Sequence, residues 1–540
     1  MVVLLVAASF FAVVKTIFFG LQIDEQYAIS MAYRIASGTR MFTGLYDPHQ
    51  LSAFPCVLLI KIFMTLTGGV TGLVVFLRAA GFLMQLLVFL FTYNTFKLKF
   101  SKVNACLSSL AVIILLPKYI QTVEFSNLFL WSVLCAVLCF LRLSWTGFEK
   151  QKAFLVLGAM FYCLAVLSYP SALILFPVFS YALVKEGKSF KPFWTFALTC
   201  VICGGLYISY FLLHMSPSEL LEGIRNMMAD GSHSASALEK IAGYARELGV
   251  LLLHGIFIVI PAFLGVFLAG KAGKTEADDK EALKRKIVSL IIIFASADQL
   301  IMWLFGSGYI NMPLALYYAI ALAGYVILKD DKTLIRLCFI PSLFSVLSVL
   351  ILTNTTIGFS GAFLLPAFIA IFAMLLENNK DILARVAIFA FLFVLLFAKG
   401  FLVCLTEGRQ GNVLIERQKI LSGPGKGIYD EYLCGFETNE FADIIDEYVT
   451  EDDSVLYVGG QTVRCLMMKG RIANPSTIST PTYDPAVLNG YWEKNKALRP
   501  TVVVIERDAK AYALPGELID GEILYHSSAY TIYRLKGTGY

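Results

Sequence analysis

The sequence predicts a mainly α-helical protein: a polytopic bundle of transmembrane helices carrying a small α/β domain at its carboxyl end. Three observations predict it. Of 540 residues, 58% are hydrophobic and only 15% charged, with a mean hydropathy of +0.72; a water-soluble chain of this length carries far more charge. The apolar residues gather into runs, most of a length to cross a bilayer. From about Leu405 that pattern stops, and short β-branched runs alternate with amphipathic ones. The net charge of +5 says little, because the placement of charge matters more than its sum. Eleven cysteines show no metal-ligand spacing, and most lie in apolar runs where a thiol packs as a small hydrophobe. No nucleic-acid partner is expected.

The first run, Val2 to Gly20, is apolar apart from Lys15. It lacks a basic start and a clear small-residue cleavage site, so it reads as a retained signal anchor. Residues 21–69 form the first outer loop. Asp24 and Glu25 follow the anchor with almost no spacer, which puts two carboxylates at the membrane surface. Tyr27, Ile29, Met31, Ala32, Ile35 and Ala36 then recur at roughly helical spacing, with Arg34 between them; this predicts a short helix along the interface. Gly38 and Gly44 break it, and Asp47-Pro48-His49 brings a third carboxylate and an imidazole back. A carboxylate-rich loop pinned to a membrane is a candidate for chemistry; the alternative is an ordinary solvated loop.

Ala53 to Leu66 is apolar but short. If it only lies on the outer surface, the inner loops hold roughly twenty basic residues against about six outside; if it crosses, the bias inverts. It therefore reads as a juxtamembrane helix. The spans then fall near 2–20, 70–93, 103–118, 125–142, 153–168, 171–184, 193–213, 248–269, 287–305, 311–328, 334–353, 358–376 and 384–404, about thirteen in all, with the amino terminus inside and the carboxyl terminus outside. Arg78, inside a span, is expected to act as helix-packing glue. Residues 271–286 are a solvated inner charge run. In the loop at 214–247, His233 is read as a loop residue rather than a ligand. No half of the membrane part repeats the other, which disfavours a carrier built from repeats.

The transmembrane domain is thus 1–404 and the outer α/β domain 405–540. In the latter, Ser454–Gly459 and Thr501–Glu506 read as strands, Asn439–Val449 as a helix, and Glu522–Tyr525 with Ala529–Leu535 as a hairpin. Gly459-Gly460 follows a strand as a nucleotide-binding turn does, but lacks the rest of that motif. Cys434 and Cys465 are well inside this domain, and a disulfide between them is left open.

The opening loop resembles the GT-C glycosyltransferases, particularly the protein O-mannosyltransferase and lipid A aminoarabinose transferase branch. The likeness rests on Asp24-Glu25-Gln26-Tyr27, Arg34-Ile35-Ala36-Ser37-Gly38, Asp47-Pro48-His49-Gln50-Leu51, Gly68-Gly69 and Arg78, in that order, over residues 1 to about 95. Gln50 departs from the pattern, standing where a second Pro is usual. The resemblance implies transfer of a sugar, with inversion, from a polyprenyl-phosphate donor to an extracytoplasmic glycan, lipid or protein acceptor. It also implies a cell membrane setting, and a bacterial inner membrane at that. Asp24 aligns with the family's acidic position and is the candidate general base. Glu25 either orients the acceptor or points away. Asp47 joins the catalytic set, and Tyr27 the substrate-facing one. Asp47, His49 and Glu124 can line the site or hold a divalent ion; no cofactor is otherwise implied. Arg34, Arg40 and Lys118 are candidate phosphate contacts or headgroup anchors. The neighbouring Glu25 charge and partial burial are expected to raise the Asp24 pKa. The competing readings are a transporter or lipid flippase, for which Asp298 near mid-span is the chief support, and a sensor or assembly scaffold.

Overall fold

The computed structural model describes residues 2–148, 151–231, 236–270, 279–305, 313–377, 381–402, 417–478, 480–507, 509, 514–518 and 520–536. His233, most of the charge run at 271–286 and the 404/405 boundary lie outside the described residues. The chain begins with α1 (Val2–Phe18), α2 (Ile23–Ala36), α3 (Phe54–Thr67), α4 (Leu73–Phe96), α5 (Lys102–Ser109), α6 (Ala111–Ile114) and α7 (Phe125–Thr146). It continues through α8 (Lys152–Ser168), α9 (Leu175–Gly187), α10 (Lys191–Leu212), α11 (Pro217–Met227), α12 (Ala237–Gly270), α13 (Asp279–Leu304) and α14 (Leu314–Leu328). The membrane part closes with α15 (Lys332–Leu334), α16 (Ile340–Leu352), α17 (Ile357–Ser360), α18 (Leu365–Leu375) and α19 (Ile382–Phe397).

Eight helical stretches among the described residues are long and apolar enough to cross a bilayer, and α1, α3, α8, α14 and Lys102–Ile114 are shorter apolar helices. One departure from the expected spans has a local cause. The 171–184 segment opens as a 3-10 turn at Pro170–Ile174 and leaves only thirteen residues to α9. The Ala53–Leu66 run, expected as a juxtamembrane helix, forms α3, 14 residues from Phe54 to Thr67 with Pro55 in the first turn and Gly68, φ 73°, ending it. At ~1.5 Å per residue it reaches ~21 Å, short of the ~30 Å hydrocarbon core.

The loops sort into two ends. At one end Lys99 pairs with Asp331, Arg285 lies 3.7 Å from Glu377, and Glu186 receives Ser144, Thr333 and Arg336. These are the basic loops expected to share a side. At the other end lie α2, α3, residues 115–124 and the carboxyl-terminal domain.

That domain holds β1 (Arg417–Lys419), β2 (Tyr429–Glu431), α20 (Tyr432–Tyr448), β3 (Ser454–Val458), β4 (Arg471–Ile472), α21 (Pro485–Lys494), β5 (Val502–Glu506), β6 (Glu522–His526) and β7 (Tyr530–Arg534). The main sheet has the order β4-β3-β5-β7-β6. β3 is parallel to both its neighbours and buried along its whole length, which is why its sequence is nearly continuous in apolar residues. The helix expected at Asn439–Val449 begins seven residues earlier: Glu431 caps it by accepting the Cys434 N–H at 3.2 Å, and Gly435, a breaker by sequence, lets Gln418 pack close. The Gly459-Gly460 turn is not a nucleotide site. Glu506 accepts the Gly460 N–H at 2.7 Å, so that donor is already spent. Cys434 and Cys465 are buried and not joined by a disulfide. The domain docks on the first loop: Gly20 N–H donates to Tyr429 O at 2.8 Å, Tyr46 N–H to Pro475 O at 2.7 Å, and Gly72 N–H to Gly423 O at 3.0 Å.

Candidate active site

The site is built where α1 ends. A helix end leaves backbone carbonyls without partners, and here Arg78 of α4 reaches over to take them. Its guanidinium donates to the carbonyls of Thr16 (2.9 Å), Ile17 (3.3 Å), Phe19 (3.3 Å) and Gly20 (2.6 Å). It also grips Glu25 with two hydrogen bonds, the Nε one at 2.7 Å. The Thr122 hydroxyl donates to the same carboxylate. Glu25 is therefore 1% exposed and points into the protein. Arg78 is a cap and clamp, the packing role its sequence position suggested.

Asp24 sits one residue earlier on α2 and so faces another way. The Gln22 side chain caps the helix by accepting the Glu25 N–H at 2.8 Å. The Asp24 side chain is 39% exposed and lies 2.9 Å from the Lys118 ammonium. Lys118 is only 5% exposed; it also reaches Glu124 at 3.3 Å and sits 4.2 Å from the Phe125 ring centroid. Tyr119, at φ 59°, turns the chain through the left-handed region just after it. Glu124 caps α7: it accepts the N–H groups of Ser126 (3.0 Å) and Asn127 (2.8 Å) and the Ser126 hydroxyl.

The electrostatics correct the sequence expectation for Asp24. Burial alone would raise its pKa, but the Lys118 charge and hydrogen bond, with help from Gln22 and His49, hold it below the ordinary aspartate value. The expected rise fails because Glu25 is taken up by Arg78, while a cation stands at Asp24 itself. On Lys118, burial works against the ammonium, and Asp24 and Glu124 more than offset it, so its pKa is raised.

Aromatic rings wall the site. His49 stacks flat on Phe125, 3.7 Å between centroids and 3° between planes. Tyr27 and Tyr169 meet His49 edge-on at 6.4 and 5.6 Å. The remaining candidates lie elsewhere. Asp47 is fully buried and accepts from Ser476 Oγ (2.9 Å), Thr477 N–H (3.0 Å) and Thr477 Oγ1 (3.1 Å), pinning the outer domain to the loop. Burial pushes its carboxyl up, and Arg34 with those hydrogen bonds only partly offsets the push. Arg34 is 2% exposed and spends Nη2 on the carbonyls of Gly44 and Asn474. Arg40 is exposed, and both arginines line a cavity on the outer-domain side of α2. They are not beside Lys118.

No group of three or more His, Cys, Asp or Glu able to hold a metal ion occurs among the described residues. Asp47 and Glu124 have their oxygens committed to protein donors, and His49 is held by stacking, so these three do not form a donor set.

Sequence reasoning missed Thr122, Phe125, Tyr169, Ser476 and Thr477. Phe125 adjoins Glu124, and the Ser/Thr-rich run at 475–482 is the available signal for the Asp47 partners; nothing local marks Tyr169. Gln50, the departure from the family pattern, is fully buried. Its Oε1 accepts the Phe42 N–H at 2.8 Å, fixing the loop where a proline would otherwise stiffen it.

No family model matches the sequence, and no curated protein matches it. Solved structures do. The chain is similar to ArnT of Cupriavidus metallidurans bound to undecaprenyl phosphate, at 13% identity and TM-score 0.47, over 99% of this chain and 98% of that one. It is similar to the oligosaccharyltransferase AglB of Archaeoglobus fulgidus in complex with an inhibitory peptide and a dolichol-phosphate, at 12% identity and TM-score 0.44, over 93% and 69%. The Archaeoglobus fulgidus enzyme with Zn and sulfate gives 15% and 0.47, over 93% and 68%. At these scores the likeness is one of layout, and the functional reading stands on the site's own residues.

Proposed function

We propose that the chain is a membrane glycosyltransferase that moves a sugar from a polyprenyl-phosphate donor to an extracytoplasmic acceptor, with inversion and with Asp24 as general base. One observation carries the reading: an accessible carboxylate at the end of the first helix, 2.9 Å from a buried lysine and beside an aromatic wall. The acceptor hydroxyl gives its proton to Asp24 as its oxygen bonds to the anomeric carbon. The bond from that carbon to the phosphate oxygen breaks, and the electron pair leaves with the polyprenyl phosphate. A phosphate is a fair leaving group, so no strong acid is required. Lys118 steadies the phosphate as its charge grows. A phosphate drawing on that ammonium loosens its hold on Asp24 and makes the carboxylate a better base. The half-buried His49 ring, backed by the buried Phe125 and Tyr169 rings, offers a flat surface to a sugar ring. Glu25 and Asp47 act by position, holding α2 and the loop. The amino terminus is cytoplasmic and the outer domain extracytoplasmic.

The test is sugar transfer from radiolabelled polyprenyl phosphate in membranes, normalised to protein level. Asp24→Asn keeps size but cannot take the proton, and transfer is expected to fall ~10²–10⁴-fold. Near-wild-type transfer by this variant removes Asp24 as base.

One observation favours a transporter instead. His254 of α12 and Asp298 of α13 pair across helices at 2.9 Å, and transport sites are built from such intramembrane pairs. If the transferase reading holds, Asp298→Asn leaves transfer within a few-fold of wild type once corrected for protein level. Abolished transfer would move the chemistry to that pair.

A further inference from the structure

A cavity of about 890 Å³ lies between the end of α2, the loop at 37–46, α11 and the outer domain near β4 and α21. Tyr33 and Ser37 line it. Tyr33 is nine residues from Asp24, about two and a half turns, so the cavity faces the side of α2 opposite Asp24. The nine residues also set it ~13 Å along the helix. This chamber is therefore not the place where Asp24 meets Lys118.

Its lining is basic: Arg34, Arg40, Lys469, Arg471 and Lys494, against Glu219 and Glu222. Several of these charges are already spent. Lys494 pairs with Glu222, and Lys469 pairs outside the lining with Asp446 at 3.1 Å. Glu219 accepts the Ser216 N–H at 2.7 Å and its hydroxyl at 2.8 Å, capping α11. Arg40 and Arg471 have no carboxylate within ion-pair distance among the described residues. Arg34 is the deepest of the set, 2% exposed. Its Nε and Nη1 make no hydrogen bond of good geometry, the Tyr491 hydroxyl being the one further polar neighbour of the guanidinium, although a buried guanidinium ordinarily fills its donors. Asp47 supplies its nearest counter-charge.

Three guanidinium groups, one buried with unused donors, match an oxyanion that accepts several N–H groups in a plane. We infer that this chamber is a second anion-binding site, separate from the Asp24–Lys118 site, which takes a phosphate-class group. The group can be carried by a soluble phosphate or by an anionic lipid headgroup at the interface where α2 and α11 lie.

The test is calorimetric titration of pyrophosphate into the purified full chain in phosphatidylcholine nanodiscs, then in phosphatidylglycerol nanodiscs. Saturable binding is expected in the first, with affinity at least tenfold weaker in R40A/R471A. Both arginines are exposed, and an unchanged melting temperature shows that the variant is folded. In Lys118→Met, which removes the phosphate contact of the Asp24 site, saturable pyrophosphate binding is expected to remain, and to be lost when Lys118→Met is combined with R40A/R471A. If phosphatidylglycerol weakens pyrophosphate binding in wild type and not in R40A/R471A, the lipid headgroup is the source; equal binding in both lipids assigns a soluble phosphate. No saturable binding to wild type in either lipid overturns the site. So does binding that survives R40A/R471A unchanged, or that is lost in Lys118→Met. Because sugar transfer is not the readout, failure here leaves the transferase reading standing, and failure of Asp24→Asn to lower transfer leaves this site standing.

Discussion

A carboxylate that must accept a proton gains from a high pKa, yet Asp24 is held low by the lysine beside it. The resting site thus keeps Asp24 ionised and Lys118 charged. A group whose folded pKa is depressed contributes stability above its unfolded value, and that contribution fades as pH falls through the folded pKa; for Asp24 the window opens just below 3.8. The acid limb of kcat/KM for wild type is therefore expected below the ordinary carboxylate range. Lys118→Met removes the main influence opposing burial, so the Asp24 pKa rises and the acid limb moves to higher pH, on top of a lower overall rate. A pH–rate profile of both proteins checks this. An acid limb that stays in place would mean that Lys118 does not set the ionisation of Asp24.

Among the elements, the segment from Lys118 to Glu124 decides whether the site forms, because it supplies the lysine, the α7 cap and the Thr122 hydroxyl that meets Glu25. It lies directly against α4. A Cβ on Gly81 would fall 1.6 Å from the Gln121 carbonyl oxygen, a distance no real contact tolerates, so glycine is required for backbone to meet helix here. Gly81→Ala is expected to push this segment off α4, costing roughly 1–3 kcal/mol and moving Lys118 from Asp24. Gly255→Ala on α12, where a Cβ meets nothing within 4 Å, is the matched control. Thermal unfolding in detergent together with transfer activity reads the outcome: both fall in Gly81→Ala and neither in Gly255→Ala. Full activity in Gly81→Ala would show that the segment shifts without consequence. The same contact shows why sequence alone could not place this loop. Gly81 reads as one glycine in an apolar run, and its reason lies forty residues on.

For the molecule as a whole, what was legible followed from periodicity and charge. Long apolar runs gave the helices, and short β-branched apolar runs gave the outer strands to within a residue or two at Ser454–Val458 and Val502–Glu506. The motif order in the first loop pointed at Asp24. Illegible were the pairings made over long sequence distances, Glu25 with Arg78, Asp47 with Ser476 and Thr477, and Arg34 with Asn474, because nothing local in a sequence records a partner 53 to 440 residues away. Those pairings sort charges that looked alike: of the residues grouped as one site, some hold the fold and two line a separate cavity. The orientation of the bundle rests on charge as well. The basic loops meet at one end of the molecule, and the positive-inside rule assigns that end to the cytoplasm. Lys97 lies at that end and Glu451 in the outer domain, and both are exposed. Cysteine placed at each, in intact cells treated with a membrane-impermeant maleimide, is expected to label at Glu451→Cys, and at Lys97→Cys only after permeabilisation. The parent chain sets the background, since its ten described cysteines are all buried or half-buried. The reverse pattern would put Asp24 on the cytoplasmic side, where nucleotide sugars are available, and would remove the need for a lipid-linked donor.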